Sequence, residues 1–290
     1  MSSEQELPDL SSHALDLARR SLDEDGACDV TSEVVGAAGV EAAGVVEYRN
    51  GGVVAGKAFA DAVVQLCGCG CLDWQAEEGE KVGPSTVLAK LEGDLAAILF
   101  AERTLLNFLQ RACGIATATR AIVDAIAGTG CEVLHTRKTA PGLRALDVQA
   151  VLAGGGCQHR LSLASEVLVK DNHWHVLEGN VEKLRAACDA ARKRRVRSIY
   201  VEVEDLGQVR TACAAGATRL LIDNQSPSEF AVLADEARKI APEIEVEATG
   251  GMTLESARSY AEAGADFISV GSLTHSVVAA DVALEITARG

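Results

Sequence analysis

The chain has 290 residues, and its 27 lysines and arginines against 42 aspartates and glutamates leave a formal net charge of −15 at pH 7. This acidic balance argues against nucleic acid or an anionic membrane surface as a partner. Hydrophobic residues make up 48% of the chain and aromatic residues only 3%, so the core must consist mainly of Ala, Val, Leu and Ile, a composition that suits parallel strands covered by helices.

The sequence has none of the features of a secreted or membrane-spanning chain. No apolar run reaches the roughly 18 residues of a membrane span, and "MSSEQELPDL" has neither the basic start nor the apolar stretch of a signal peptide. We expect a cytoplasmic protein whose nine cysteines form no disulfides. Three of them, Cys67, Cys69 and Cys71, form "CGCGC", whose one-residue gaps do not match structural zinc sites. We expect small buried residues in a turn there and assign no role.

The first third of the chain indicates a small α+β sandwich domain. "AAGVVEYRNGGVVAG" predicts a strand, a turn and a second strand, and "TVLAKLEGD" at 86–94 predicts another strand. Helical periodicity follows over residues 95–127, with a break expected near Gly114. We predict an N-terminal α+β domain over residues 1–112, with a C-terminal helix at 274–290 packing back on it.

From residue 131 onward, apolar runs alternate with helical segments. Six runs end in polar residues: "CEVLHTRK", "SEVLVKDNH", "SIYVEVED", "TRLLIDNQ", "EIEVEATGG" and "DFISVGS". The later runs recur about every 20 to 25 residues, the length of one βα unit. This alternation predicts a parallel α/β barrel over residues 113–273.

The polar residues at the ends of these runs are candidate site residues, because active sites of such barrels lie at the carboxyl ends of the strands. A single polar strand end is ordinary, but six together favour a site. The candidates are Thr136, Arg137, Lys138, Lys170, Asp171, Asn172, Glu202, Asp223, Asn224, Thr249, Gly250, Gly251, Gly271 and Ser272.

The local charge indicates that the ligand is an anion. Between Arg137 and Lys170 there are five cations and two acids, a local charge of +3 inside a chain of −15, with His159 as a further candidate. Arginine binds carboxylates and phosphates through paired hydrogen bonds, whereas lysine acts as a point charge. The region therefore predicts a site for a ligand with several negative charges.

Two strand ends and two carboxylates extend this interpretation. "TGGMT" and "VGSLT" each precede a helical stretch, where backbone N–H groups can bind a phosphate. Glu202 and Asp223 are suited to hold Mg²⁺ or to accept hydrogen bonds from sugar hydroxyls. Phosphoribosyl pyrophosphate together with an acidic base fits this set of groups.

Several ordered motifs resemble those of the quinolinate phosphoribosyltransferase family. They are "AERTLLNFLQRACGIATATR", "TRKTAPGLRAL", "GGGCQHRLSL", "VLVKDNH", "VEVEDL", "LIDN", "ATGG" and "VGSLTHS", and the resemblance runs from about residue 10 to the C-terminus. It implies conversion of quinolinate and phosphoribosyl pyrophosphate to nicotinate mononucleotide, pyrophosphate and CO2. It also implies Mg²⁺, an incomplete barrel of about seven strands, and a homodimer or higher homo-oligomer with shared active sites.

The resemblance also assigns roles to residues of this chain. Arg103 would reach across the dimer to quinolinate, while Arg137, His159, Arg160 and Lys170 would line the pocket for its carboxylates, next to Thr136. Lys138, Glu202 and Asp223 would face the ribose and the Mg-pyrophosphate, and with Lys170 they form the expected catalytic set. The 5′-phosphate would lie against two strand ends, which consist of Thr249, Gly250, Gly251, Val270, Gly271 and Ser272.

The chain departs from the family pattern at positions near these groups, which are Val148, Gln149, Leu152, Gln158 and Tyr200. Because of these departures, the sequence leaves open which pyridine acid is the substrate. A paralogue acting on another anionic base, and a barrel that binds a phosphosugar or nucleotide without turnover, remain alternatives. A Schiff-base aldolase with Lys170 as nucleophile is the rival enzyme class.

Overall fold

The computed structural model describes residues 10–288, and within this range no helix is both long and apolar enough to cross a membrane. The helices are α1 (Leu10–Asp25), α2 (Val30–Val35), α3 (Lys57–Cys67), α4 (Leu95–Ala125), α5 (Arg144–Ala153), α6 (Asp171–Leu177), α7 (Val181–Lys193), α8 (Leu206–Ala215), α9 (Pro227–Ile240), α10 (Leu254–Glu262) and α11 (Ser272–His275). The strands are β1 (Glu41–Tyr48), β2 (Gly52–Val53), β3 (Asp73–Trp74), β4 (Lys81–Val82), β5 (Thr86–Asp94), β6 (Glu132–Leu134), β7 (Val167–Val169), β8 (Ile199–Val203), β9 (Arg219–Asp223), β10 (Glu245–Thr249), β11 (Phe267–Ser269) and β12 (Val282–Ala288).

The chain forms two compact units. The N-terminal unit contains the described residues up to Arg120, the segment Thr139–Gly155 and the described residues from Leu273 onward, and the barrel unit contains the remainder. The predicted boundary at residues 112 and 113 placed 139–155 in the barrel, whereas the structure groups this segment with the N-terminal unit. The buried carboxylate of Asp147 on α5 holds it there, because it receives two hydrogen bonds from Arg111 on α4, of 2.7 and 2.8 Å.

The N-terminal unit is built on a four-stranded antiparallel sheet with the order β12-β1-β5-β3. Exposure alternates along β1, with Ala42, Gly44, Val46 and Tyr48 buried, because successive side chains of a strand point to opposite faces. Helices α1 and α3 pack against each other in the same unit. The sheet has one buried face, as expected for an antiparallel sheet covered on one side.

The predicted C-terminal helix over 274–290 is wrong. Helix α11 ends at His275, and β12 pairs antiparallel with β1 from Tyr48↔Val282 to Ala42↔Ala288; residues 289 and 290 lie outside the described range. Val282 and Leu284 are buried with a less buried residue between them, which is the period of a strand. The partner strand lies more than 200 residues earlier, so no local sequence pattern predicts the pairing.

The predicted break in the long helix near Gly114 is also wrong. Helix α4 runs without interruption. Gly114 is instead the position at which the backbone of another segment comes close to the helix. A Cβ atom on Gly114 would lie 2.2 Å from the carbonyl oxygen of Val278. The small residue is therefore explained by packing rather than by a bend.

The "CGCGC" stretch forms the expected turn after α3, but of its three cysteines only Cys69 is buried, whereas Cys67 is half-buried and Cys71 is exposed. Gly68 and Gly70 both have positive φ angles, which favour glycine, and Cys69 between them is fully buried. Burial raises the pKa of the Cys69 thiol to about 11, so this cysteine is protonated near neutral pH.

The barrel unit contains a six-stranded, fully parallel sheet with the order β6-β11-β10-β9-β8-β7. Helices α8, α9 and α10 connect consecutive strands from β8 to β11, as parallel pairing requires. The incomplete barrel is confirmed, but it has six strands rather than about seven. Where a further strand would follow β6, Cys157 alone makes a bridge to Leu134. Because the strands are parallel, their carboxyl ends meet at one edge.

Candidate functional site

The carboxyl ends of the barrel strands converge on a cavity of about 270 Å³. Thr136, Arg137 and Lys138 follow β6, and Lys170 follows β7. Thr249 ends β10. His159 and Arg160, from the segment that precedes β7, complete the set of predicted residues that line this cavity. The structure thus brings Arg137, His159, Arg160 and Lys170 into one shared space.

The cavity is strongly cationic and only partly neutralised by the protein. Arg160 is 9% exposed, and burial, followed by the like charge of Arg137, lowers the pKa of its guanidinium. The buried Nε of Arg137 has no hydrogen-bond partner in the protein. Two neighbouring guanidinium groups that repel each other would gain from a bound anion, because a carboxylate or phosphate satisfies both charge and hydrogen bonding.

Two carboxylates lie at the ends of the neighbouring strands. Glu202 on β8 accepts a hydrogen bond from the ammonium of Lys170 at 2.5 Å. Asp223 ends β9, and burial, followed by the negative charge of Glu202, raises its pKa, while the charges of Lys170 and Lys138 act in the opposite direction. Cations and carboxylates therefore interact across four strand ends, those of β6, β7, β8 and β9.

The end of β10 has a backbone shape that only glycine permits. Gly250 has a φ of +87°, and a Cβ atom there would lie 2.2 Å from Oδ1 of Asn224. Gly251 also has a positive φ. After β11, the buried Val270 donates its N–H to the carbonyl of Leu134 at 3.3 Å, and Gly271 and Ser272 follow it.

Some predicted residues do not line the cavity. Arg103 is an exposed residue of α4 and belongs to the N-terminal unit, as does Arg144 on α5. Within the barrel unit, the cavity lining does not include Glu202, Asp223, Gly250, Gly251, Val270, Gly271 or Ser272. Glu202 is joined to the cavity through its contact with Lys170.

The sequence interpretation missed a buried acid at the cavity. Glu247 is fully buried, and its carboxylate contacts Ser269 Oγ, Arg219 Nη1 at 3.3 Å and His159 Nε2 at 3.4 Å. Burial raises the pKa of Glu247, but the interactions with His159, Ser269 and Arg219 outweigh it and hold the pKa below its usual value. Other lining residues that were missed are His135, Leu168, Leu221 and Ser269.

A signal for Glu247 exists in the sequence. Glu245 and Glu247 stand two residues apart in an otherwise apolar strand, so both point to the same face. Arg219 opens the preceding strand-like run and lies opposite Glu245 in the register. Buried acids in parallel strands require such partners, and the pair could have been found by asking for them.

A parallel barrel with a cationic cavity at its strand ends defines an enzyme of the α/β-barrel class that acts on a small polyanion. Two family models identify it further. The quinolinate phosphoribosyl transferase N-terminal domain matches residues 29–113, and the C-terminal domain of the same family matches residues 115–285. The chain belongs to the quinolinate phosphoribosyl transferase family.

Curated relatives agree over most of the chain. A nicotinate-nucleotide pyrophosphorylase [carboxylating] of Mycobacterium leprae is 37% identical over 279 residues, which cover 94% of this chain and 97% of the relative. The Homo sapiens protein of the same name is 38% identical over 245 residues, covering 83% of this chain and 81% of the relative.

Solved structures show the same fold. A nicotinate-nucleotide pyrophosphorylase from Francisella tularensis superposes with a TM-score of 0.87 at 30% identity, covering 96% of this chain and 97% of that one. The Ehrlichia chaffeensis protein gives a TM-score of 0.86 at 29% identity, covering 94% and 98%.

Proposed function

We propose that the protein transfers the phosphoribosyl group of phosphoribosyl pyrophosphate to quinolinate with decarboxylation, giving nicotinate mononucleotide, pyrophosphate and CO2 in NAD biosynthesis. The observation that carries this proposal is the convergence of Arg137, Lys138, Arg160 and Lys170 on one cavity in a chain of net charge −15. The names of the curated relatives and the family match support the same reaction.

Quinolinate fits the cavity because it is a small, flat acid with two adjacent carboxylates. Arg137 and Arg160 present guanidinium groups that can each bind a carboxylate through two hydrogen bonds. Lys170 adds a point charge and is itself held by Glu202. A dianion would relieve the repulsion between the two arginines, whereas a monoanion leaves one of them without a partner.

The chemistry requires positioning and charge stabilisation rather than a protein nucleophile. Departure of pyrophosphate builds positive charge on the ribose ring, and the nitrogen of quinolinate captures the sugar carbon. The bond from the ring to the adjacent carboxylate then breaks, CO2 leaves, and the electron pair remains next to the positive nitrogen, where a proton is added. Residues that fix the two substrates in line therefore account for most of the acceleration.

Mg²⁺ is proposed as the cofactor and would be held by Glu202 and Asp223 together with the pyrophosphate. Within residues 10–288, no cluster of three or more His, Cys, Asp or Glu could hold a metal ion by itself. Mg²⁺ is commonly bound through one or two carboxylates plus substrate phosphates, which is the arrangement proposed for Glu202 and Asp223. When bound, the ion would neutralise charge on the leaving pyrophosphate.

The remaining roles are proposed from the family resemblance. The backbone around Thr249, Gly250 and Gly251, and the stretch from Val270 to Ser272, would bind the 5′-phosphate. Arg103 would enter the cavity of a second copy, so the active unit would be a homodimer with shared sites. The exposure of Arg103 on α4 is compatible with that contact. Assembly beyond a dimer and the cytoplasmic location stay predictions.

The rival aldolase mechanism finds little support in the site. A Schiff-base lysine needs a desolvated, apolar setting, whereas the Lys170 side chain is 44% exposed and ion-paired with Glu202.

The proposed function is tested by asking which pyridine acid is the substrate. The test incubates the protein with phosphoribosyl pyrophosphate, Mg²⁺ and either quinolinate or nicotinate, and follows CO2 and the mononucleotide. Turnover of quinolinate is expected; turnover of nicotinate alone, or of neither acid, overturns the proposal.

A further inference from the structure

The turn after β9 holds an asparagine in a left-handed backbone conformation. Asn224 has a φ of +54°, in a region that glycine adopts without strain and that asparagine tolerates better than most residues do. The residue is exposed, so burial of its side chain does not account for it. Because glycine would fit this backbone at no steric cost, the presence of asparagine is explained by what its side chain contacts.

The side-chain amide of Asn224 holds the neighbouring carboxylate. Nδ2 of Asn224 donates to Oδ2 of Asp223 at 2.6 Å, and hydrogen bonds to an ionised acceptor are the stronger kind. The backbone N–H of Asn224 donates to the carbonyl of Thr249 at 3.0 Å. Asp223 and Thr249 are themselves partners in the parallel register of β9 and β10. Asn224 therefore contacts the ends of both strands.

Gly250 leaves the space in which the Asn224 side chain lies. A Cβ atom on Gly250 would overlap Oδ1 of Asn224 and would lie 2.6 Å from its Cγ and 2.8 Å from its backbone nitrogen. The glycine is therefore required by the asparagine packed against it as well as by its own positive φ. A side chain at position 250 would push the amide away from Asp223.

Other contacts hold the backbone of this turn. Nε2 of Gln225 donates to the carbonyl of Asp223 at 3.1 Å, and the Tyr260 hydroxyl on α10 donates to the carbonyl of Gln225 at 2.7 Å. The Tyr260 ring packs edge-on against Phe230, with 5.9 Å between the ring centroids. These contacts do not involve the Asn224 side chain. Removal of the amide should therefore release the carboxylate of Asp223 without unfolding the turn.

We propose that Asn224 is a positioning residue, which fixes the carboxylate of Asp223 relative to the turn at Thr249 and Gly250 and so sets the spacing between two contacts of phosphoribosyl pyrophosphate. This inference rests on the proposed function, in which Asp223 faces the ribose and the Mg-pyrophosphate and the turn binds the 5′-phosphate. These groups stand at opposite ends of one substrate. A carboxylate already held in place does not have to be ordered when the substrate binds.

The first test uses Asn224→Gly, which keeps the backbone conformation and removes only the amide. Calorimetric titration with phosphoribosyl pyrophosphate and Mg²⁺ should give a dissociation constant about tenfold above that of wild type, since a hydrogen bond to a carboxylate is lost. The variant should unfold at the wild-type temperature or slightly above it, because glycine is unstrained at positive φ. Asn224→Ala should lose the same affinity and also unfold at a lower temperature.

Arg195→Gly is the matched control for this titration. Arg195 also has a positive φ, of +64°, and it precedes β8, so it lies at the end of the strands opposite to the cavity. This variant should bind phosphoribosyl pyrophosphate as wild type does. Wild-type affinity in Asn224→Gly overturns the proposal, because the residue would then serve only the turn. An equal loss in Arg195→Gly overturns it as well, because the effect would not be specific to the amide.

The second test needs no ligand and so stands apart from the proposed function. In the nitrogen-15-labelled full chain, the side-chain amide signal of Asn224 is assigned by its loss in Asn224→Gly. One of its protons should be shifted downfield by the hydrogen bond to Asp223, and Asp223→Ala should abolish the shift. Absence of the shift in wild type, or its persistence in Asp223→Ala, overturns the inference. If the shift is present but wild type does not bind phosphoribosyl pyrophosphate, the proposed function is refuted and the hold of Asn224 on Asp223 stands.

Discussion

At the scale of single residues, the cavity contains two neighbouring guanidinium groups, those of Arg137 and Arg160, whose charges the protein neutralises only in part. Arg137 has a buried nitrogen without a partner, and the pKa of Arg160 is lowered by burial and by its neighbour. Such groups are costly in a folded protein unless a ligand satisfies them. The cost indicates that binding, rather than stability, explains their placement.

The first prediction removes one arginine at a time. Arg137→Ala and Arg160→Ala should each weaken quinolinate binding by about 2–3 kcal/mol, or roughly 30- to 150-fold, because each loses a paired contact to a carboxylate. Isothermal titration gives the dissociation constants. Arg210→Ala, which removes an exposed arginine paired with Glu236 and lying outside the cavity lining, is the matched control and should bind as wild type does. If all three variants bound quinolinate with equal affinity, the assignment of Arg137 and Arg160 to the quinolinate site would be contradicted.

Asp223 supports a second prediction, on pH and stability. Burial, and then Glu202, raise its pKa above the usual 3.8, so the folded protein disfavours the ionised form. A carboxyl group whose pKa is higher in the folded protein than in the unfolded chain destabilises the folded state at pH values above its folded-state pKa. This destabilisation disappears as the pH falls below the pKa of the unfolded chain. Asp223→Asn should therefore unfold at a higher temperature than wild type at neutral pH, and the difference should vanish below pH 3.8.

Thermal unfolding of both proteins across that range is the measurement, and the mutant should lose transferase activity while it gains stability. A loss of activity together with a gain in stability is expected where a functional residue destabilises the folded protein. A variant that is less stable than wild type at neutral pH, or a gain that is constant with pH, would refute this explanation.

The residue scale also shows what the sequence could predict. The residues after β6, β7 and β10 were found because a strand end is a local pattern that points to one edge of a parallel sheet. Glu247 was missed since it lies inside a strand, where an acid is recognised only through its partners. Those partners, His159, Arg219 and Ser269, come from three other parts of the chain.

At the scale of elements, local patterns predicted the barrel well, and they placed the C-terminal segment on the N-terminal domain, but they predicted a helix where the structure has strand β12. Each βα unit buries an apolar strand beside its own helix, so sequence periodicity is sufficient there. Strand β12 is stabilised by pairing with β1, which is distant in sequence, and its short apolar pattern is compatible with either a helix or a strand. Tertiary context decided between the two.

The third prediction tests the close approach at α4. Ala normally stabilises a helix relative to Gly by about 0.5–1 kcal/mol, but at Gly114 the new Cβ would overlap the carbonyl of Val278. Gly114→Ala should therefore lower the free energy of unfolding by about 1–3 kcal/mol, the usual cost of overpacking. Urea unfolding measures it.

Gly83 provides the control for that experiment. A Cβ atom there meets nothing within 4 Å, and the residue does not have a positive φ. Gly83→Ala should leave stability unchanged or raise it slightly, by up to about 1 kcal/mol, through the unfolded state. If Gly114→Ala were as stable as Gly83→Ala, the segment around Val278 would have to lie elsewhere.

At the scale of the whole molecule, one acidic chain supplies a concentrated cationic site on one unit and an exposed arginine, Arg103, on the other. Both stand in local sequence motifs, so the family resemblance proposes a role for each, but the composition alone does not say whether they act within one chain or between two. That question depends on assembly, which a single sequence does not encode locally.

The last prediction separates these possibilities by mixing two inactive proteins. Arg103→Ala lacks the residue proposed to act across the dimer, and Arg160→Ala lacks one in the cavity. If Arg103 serves the partner's site, a mixed dimer contains one intact site and one doubly defective site. Random exchange makes about half of the dimers mixed, so the pool should regain about a quarter of wild-type activity. Quinolinate-dependent release of CO2 measures the recovery. If Arg103 serves the cavity of its own chain, every site in the pool stays defective and mixing restores nothing.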